Sequence, residues 1–137
     1  ATILLGSSLI MTSCNKEQSA INKLEGSWTM TKVEITEDGE TRELIGLGGS
    51  GTVTYSKCDL SDSEYCDVTE NFTYPDGDSY VENKQYRILN DGKILEYYNP
   101  MNSIQPIIEL EIKELSRKKC TLLYSSDEQE ALLELEK

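Results

Sequence analysis

The sequence predicts an all-β domain in which roughly eight antiparallel strands follow one another as an up-and-down meander. Three observations predict this fold class. Turn signals such as Asp-Gly and Asn-Pro recur at short, regular intervals after residue 37. The segments between them are rich in Val, Ile, Thr and Tyr, which favour extended strands. Residues 104–113 alternate apolar and polar side chains, as expected of a strand with one buried face.

The first predicted strand, residues 24–35, contains the only tryptophan, Trp28, two residues after Gly26. Asp38-Gly39 then supplies a hairpin turn, and four glycines between residues 46 and 51 connect to the next strand. Pro106 has no N–H to donate, so it indicates an edge or a bulge near the start of its strand. After the first, the predicted strands are residues 52–55, 66–74, 79–89, 94–98, 104–113 and 120–124.

The last segment, residues 126–136, fits two structures. Ser126 followed by Gln129 resembles a helix capping box, and residues 130–134 have good helix propensity. Leu133 and Leu135, however, alternate with glutamates, and the preceding elements are predicted as strands. We therefore predict a strand. It brings the count to roughly eight, the number at which a closed barrel holds side chains or one small ligand.

The composition limits the classes of function. The 137 residues suffice for one domain with one core. A formal net charge of −12 argues against nucleic-acid binding and against electrostatic attachment to anionic lipid. The sequence contains no histidine, so the usual general base, the Ser-His and Cys-His dyads and His-based metal sites are excluded. No phosphate loop or cofactor fingerprint occurs. We predict a protein that is not an enzyme and uses no cofactor.

The N-terminal segment indicates export and lipidation. Residues 1–11 are almost wholly apolar or small; they are shorter than the roughly 20 residues of a transmembrane helix but match a signal-peptide core. They end in Met11-Thr12-Ser13-Cys14, which resembles a bacterial lipobox, whose cysteine is lipidated and becomes the new N-terminus. The alternative is a buried N-terminal strand or helix that ends in an ordinary free cysteine.

We therefore divide the chain into a signal-peptide remnant (residues 1–13), a lipidated Cys14 with its tether (residues 14–24) and a barrel domain (residues 25–137). Within the tether, Ser19 is predicted to cap a short helical turn. Asn15, rather than the Asp that retains many Gram-negative lipoproteins at the inner membrane, follows the cysteine. This residue favours the outer membrane of a Gram-negative cell envelope.

The Gly26-Ser27-Trp28 motif and the meander after it resemble the lipocalin-like domains of bacterial lipoproteins. The resemblance covers residues 23–137 and depends on one Gly-x-Trp motif. In lipocalins this tryptophan packs across the barrel floor. The resemblance implies an up-and-down β-barrel with a cavity, in a family mostly without assigned activity. The acidic, cysteine-bearing loop after the second strand departs from the family's pattern.

Two cysteines, Cys58 and Cys66, flank a short acidic loop. In an exported protein this spacing suits a disulfide that closes the loop, and the alternative is two reduced cysteines. Cys120 is predicted to be a small buried side chain rather than a nucleophile. The carboxylates near the loop could hold a hard cation, but no EF-hand spacing is present, and we predict a solvated acidic loop and no metal site. They are Asp59, Asp62, Glu64 and Asp67.

Aromatic side chains provide the candidate ligand site. Several tyrosines share even sequence parity with Phe72, and this parity also includes Glu70, Glu82, Lys84 and Glu96. If even positions point inward, the barrel interior combines aromatic walls with a few charges, which suits a polar or amphipathic ligand. Alternatively, the tyrosines fill a tight core and the charges lie at strand ends. The predicted ligand-binding residues are Trp28, Phe72, Tyr74, Tyr86 and Tyr98.

The sequence thus predicts a lipoprotein that is held at the membrane through Cys14 and binds a small apolar or amphipathic ligand in a lipocalin-like barrel. The competing prediction is a structural or protein-interaction module of the outer membrane.

Overall fold

The computed structural model describes residues 16–137. The predicted signal segment and Cys14 lie outside these residues. Residues 16–24 are helical, and nine strands follow within the described part of the chain. The strands are β1 (Gly26–Glu37), β2 (Glu40–Glu43), β3 (Ser50–Tyr55), β4 (Cys66–Thr73), β5 (Ser79–Leu89), β6 (Ile94–Tyr98), β7 (Ile107–Leu115), β8 (Lys119–Ser125) and β9 (Gln129–Glu136), with a 3-10 turn at Asn90–Gly92 between β5 and β6.

Antiparallel pairing of each strand with its neighbours closes the sheet into a barrel. The order is β1-β3-β4-β5-β6-β7-β8-β9, and β9 pairs back onto β1 from Thr29 to Glu37. The short β2 lies on the same side of β1 as β3, because Glu34 pairs with Glu43 on one side and with Leu132 of β9 on the other. The predicted eight-stranded up-and-down barrel is therefore confirmed. The prediction lacked β2, whose four residues have no apolar alternation.

The ends of several elements differ from the prediction. The C-terminal segment is a strand, as predicted, and it completes the barrel. β7 begins at Ile107 rather than at residue 104, since Pro106 cannot donate a ladder hydrogen bond. The prediction of Ser19 as a helix cap is wrong: Ser19 lies inside the helix, which is already formed at Lys16. At the β1–β2 turn, Asp38 and Gly39 both have positive φ, 53° and 77°, as a tight two-residue hairpin requires.

The up-and-down topology gives the barrel two different ends. The helix, the 56–65 loop and the 90–93 and 116–118 turns lie at one end, which we call the closed end. The hairpin turns at 38–39, 74–78 and 126–128 and the 99–106 loop lie at the other, which we call the open end. The deepest core lies towards the closed end, where Ile21 and Leu24 of the helix and Trp28 of β1 are buried together.

Candidate ligand site at the open end of the barrel

The helix closes the barrel beneath Trp28. Ile21 and Leu24 are fully buried, and the indole N–H of Trp28 donates a hydrogen bond to the Leu24 carbonyl at 2.7 Å. The Lys137 ammonium lies 4.7 Å from the centre of the Trp28 ring and also donates a hydrogen bond to the Glu25 carbonyl. Trp28, a predicted ligand residue, is therefore part of the seal at the closed end and is 1% exposed.

Three tyrosines fill the interior next to the seal. The hydroxyls of Tyr55 and Tyr97 are hydrogen-bonded to each other, and the ring of Tyr86 packs edge-on to Tyr55 at 5.1 Å. The Tyr86 hydroxyl donates to the Ser56 carbonyl at 3.2 Å. Burial raises the pKa of all three hydroxyls, so they stay protonated. Tyr86, also a predicted ligand residue, lies in this packed core.

Nearer the open end, the interior becomes polar along β4 and β5. The Lys84 ammonium lies 3.4 Å from a carboxylate oxygen of Glu70, and the Tyr80 hydroxyl donates to the other oxygen at 2.6 Å. The same ammonium lies 4.6 Å from the centre of the Tyr97 ring. Burial raises the pKa of Tyr80, and the nearby Glu70 charge adds to the shift. The Tyr80 hydroxyl therefore stays protonated and donates its hydrogen bond to Glu70.

A second polar pair lies nearer the rim. The side-chain amide of Asn99, which follows β6, donates to Glu82 on β5. Phe72 packs against Tyr74 with ring centres 5.0 Å apart, and Tyr74 lies 6.0 Å from Tyr80. Tyr74 is 42% exposed, so its ring is accessible at the open end. We call the following five residues the mouth cluster: Glu70, Tyr80, Glu82, Lys84 and Asn99.

The interior wall formed by the other strands is apolar at the same end. Its inward side chains from β1, β7, β8 and β9 are only partly buried, which leaves them accessible to solvent. They are Ile35, Ile108, Tyr124 and Leu133. The open end therefore has a polar, charged side and an apolar side, an arrangement that suits an amphipathic molecule.

Tyr98, a predicted ligand-binding residue, and Glu96 face outward, although the even positions of β4 and β5 face inward. Tyr86 pairs with Tyr97 across the β5–β6 hairpin, so even positions of β5 match odd positions of β6, and Tyr97 points inward. Tyr98 lies on the outer face, where its ring is 5.7 Å from that of Tyr65 in the disulfide loop. The Tyr97 contacts were missed because sequence parity cannot be carried across a hairpin whose register is unknown.

Glu96 is also on the outer face, covered by the loop before β4. It accepts hydrogen bonds from the Tyr65 hydroxyl at 2.9 Å and from Nε of Arg87 at 2.8 Å. A second nitrogen of Arg87 reaches Glu64 at 2.8 Å. Glu96 is 4% exposed. These contacts fasten the loop to β5 and β6.

The same loop holds the helix at the closed end. Cys58 and Cys66 are joined by a disulfide, with their Cα atoms 5.7 Å apart. The Gln18 side chain of the helix donates to the Cys58 carbonyl and accepts the Leu60 N–H, both at 2.9 Å. Asp59 accepts the N–H and the hydroxyl of Ser61. Within residues 16–137, no set of three His, Cys, Asp or Glu side chains is arranged to hold a metal ion.

Cys120 is a free cysteine in the barrel interior. Burial raises the pKa of its thiol to about 12. The thiolate form that acts as a nucleophile is therefore scarce at neutral pH.

Comparison with known proteins identifies the fold. No protein family matches the sequence, and no curated protein matches it. A lipocalin-like protein from Bacteroides uniformis is similar in structure, with a TM-score of 0.51 and 10% identity over 81% of this chain and 96% of that chain. The chain has a lipocalin-like fold.

Designed barrels share this lipocalin-like fold. A de novo designed fluorescence-activating β-barrel gives a TM-score of 0.54 at 13% identity, over 86% of this chain and 96% of that chain. The redesigned barrel mFAP1, bound to DFHBI, gives 0.53 at 18% identity, over 86% of this chain and 98% of that chain. At such low identities the likeness shows the fold alone. Within residues 16–137, no helix is long and apolar enough to cross a bilayer.

Proposed function

We propose that this lipocalin-like barrel binds one small amphipathic molecule at its open end. The carrying observation is the two-sided interior there. The mouth cluster lies on β4, on β5 and just after β6, and the partly buried side chains of Ile108 and Tyr124 lie on β7 and β8. A polar group of the ligand would contact the cluster, and its apolar part would cover the partly exposed aliphatic and aromatic side chains. The solved barrel mFAP1, which has the same fold, is bound to the small molecule DFHBI. This supports the proposal that a barrel of this fold binds a small molecule.

The proposal places the protein on a membrane through a lipid at Cys14, in the outer membrane of a Gram-negative cell envelope. The lipobox-like sequence and Asn15 support this part, and both lie outside the described residues. The helix at the closed end is formed from Lys16 onwards. Two residues span about 7 Å at most, so an anchor at Cys14 keeps the closed end next to the membrane. The open end then points away from it.

No catalytic role is part of this proposal. The sequence offers no histidine as a general base, and the Cys120 thiol is buried with a raised pKa.

Mass spectrometry tests both parts. The protein purified from its native membrane is expected to begin at a Cys14 that carries acyl chains. Under native conditions, the folded protein is expected to show an added mass of a few hundred daltons that organic extraction removes. An unmodified Cys14 that still follows residues 1–13 would refute the anchor. A protein that neither co-purifies with a small molecule nor takes up added amphipathic probes would refute ligand binding.

A second candidate function is protein interaction at the same end. Met101 and Ile104 of the 99–106 loop are 89% and 95% exposed, and Ile107 at the start of β7 is also exposed. Such side chains favour contact with another protein. In a crosslinking experiment, a stable partner captured through residues 99–107, with no small molecule in the barrel, would support this candidate.

A further inference from the structure

The charges of the mouth cluster do not cancel. Glu70 and Glu82 occupy directly paired positions of β4 and β5, and Lys84 supplies one ammonium. Glu70 binds that ammonium and the Tyr80 hydroxyl. Glu82 accepts a hydrogen bond from the neutral amide of Asn99 and has no ion pair within residues 16–137. Paired carboxylates on one face of a sheet repel each other, so a second cation here would be stabilising.

Aromatic rings of the same wall already hold a cation. The Lys84 ammonium lies 4.6 Å above the Tyr97 ring while it also pairs with Glu70. Closer to the rim, Tyr74 and Tyr80 lie 6.0 Å apart, next to Phe72. Ring faces attract ammonium groups within about 6 Å, more strongly where water is partly excluded. Glu82 lies on the same face of β5 as Tyr80, two residues away, and its charge acts on the Tyr80 hydroxyl, so the rim also has a carboxylate near aromatic rings.

From these contacts we infer that the ligand carries a cationic amine, and that Glu82 determines this specificity. The inference rests on the proposed function, because it names the chemical class of the molecule that the open end binds. The apolar part of the ligand lies against Ile108 and Tyr124, and its amine pairs with Glu82 beside the Tyr74 and Tyr80 rings. The net charge of −12 also favours the approach of a cation over that of an anion.

Calorimetric titration with three probes of equal chain length tests the inference. Decylammonium, decanol and decanoate, all below their micellar concentrations, share the apolar part and differ in charge. A hydrogen bond between two charged groups is stronger than one from a neutral hydroxyl. We therefore expect decylammonium to bind at least about tenfold more tightly than decanol. Decanoate is expected to bind more weakly than decanol.

Two variants and one control assign the preference to its residue. Glu82→Gln keeps the shape of the side chain and is expected to bring the affinities for decylammonium and decanol to a ratio near one. Lys84→Met removes the competing ammonium and is expected to increase the ratio. Glu109→Gln removes an exposed carboxylate from the outer face of β7, so the ratio is expected to stay that of the unmodified protein.

Each failure has a separate meaning. Equal affinity of the unmodified protein for decylammonium and decanol would overturn the amine inference and leave small-molecule binding intact. A preference that persists in Glu82→Gln would overturn the role of Glu82. If none of the three probes binds, the proposed function fails, and the inference fails with it.

Discussion

At the scale of single residues, Gly51 marks the point where β3 leaves no room for a side chain. It faces inward between β1 and β4, and a Cβ placed there would lie 2.5 Å from Sδ of Met30 and 2.7 Å from a ring carbon of Phe72. We expect Gly51→Ala to lower the free energy of unfolding by about 1–3 kcal/mol, because overpacking forces its neighbours out of position. Urea denaturation measures this change.

The matched control is the outward neighbour Thr52. Thr52→Ala changes an exposed side chain of the same strand and is expected to cost less than Gly51→Ala. Equal stability of the two variants would contradict the close packing of Met30 and Phe72 around Gly51.

The candidate site was only partly predictable at this scale. The even positions of β4 and β5 point inward, so sequence parity correctly places Glu70, Glu82 and Lys84 in one group. The same rule failed at Tyr98, because the four residues that join β5 to β6 shift inward positions from even to odd. Asn99 gave no signal in the sequence, since its role depends on the position of the 99–106 loop beside Glu82.

At the scale of elements, Glu43 organises the connection from β2 to β3. Its carboxylate accepts backbone N–H groups from Val33, Ile45 and Gly46. Partial burial opposes ionisation, but these hydrogen bonds, with a smaller contribution from Lys32, lower the pKa of Glu43 below 4.5. A depressed pKa stabilises the fold above pH 4.5, and this contribution is lost as the pH falls through the lower folded value.

We therefore expect Glu43→Gln to lower the free energy of unfolding by about 1 kcal/mol at pH 7. The difference from the unmodified protein should shrink as the pH is lowered below 4.5. Denaturation curves at a series of pH values measure it. A difference that is constant from pH 7 to pH 3 would show that Glu43 does not act through its charge.

The disulfide loop connects two elements that are distant in sequence. It holds the helix through Gln18 and covers β5 and β6 through Glu64 and Tyr65. We expect the C58S/C66S double variant to lower the free energy of unfolding by about 2–3 kcal/mol. Relative to the unmodified protein, the rate of amide hydrogen exchange should increase more in residues 16–24 than in β7 or β8.

Dithiothreitol provides the control. It should reproduce both effects in the unmodified protein and have no effect on the double variant. If exchange in residues 16–24 does not change in either case, the loop does not hold the helix.

Elements were predicted better than their contacts. The bounds of β5 and β6 agree with the sequence prediction because turn residues flank both strands, with Asp76-Gly77 before β5 and Asn90 to Gly92 between them. β2 was missed, since its stability depends on pairing with β1 rather than on a pattern of its own. The position of the disulfide loop against Arg87 and Glu96 could not be predicted, because long-range contacts of an outer face have no sequence period.

At the scale of the whole molecule, the barrel has one sealed end and one accessible end. Closure between β1 and β9 pairs the first and last barrel strands with each other and leaves, within residues 16–137, an unpaired edge on the short β2, and the helix occupies the space below Trp28. The sequence predicted the closed barrel from its strand count and from the Gly-x-Trp resemblance. It did not predict that the polar interior lies towards the end opposite Trp28, because the inward face of each strand depends on the register of its hairpins.

Backbone-amide NMR during a titration with decylammonium tests the central claim most directly. If the ligand binds at the open end, resonances of Tyr74, Tyr80, Glu82 and Asn99 shift in a saturable way, and those of residues 16–24 and Trp28 do not. Saturable shifts at residues 16–24 and Trp28, or none in the mouth cluster, would contradict binding at the open end of this barrel.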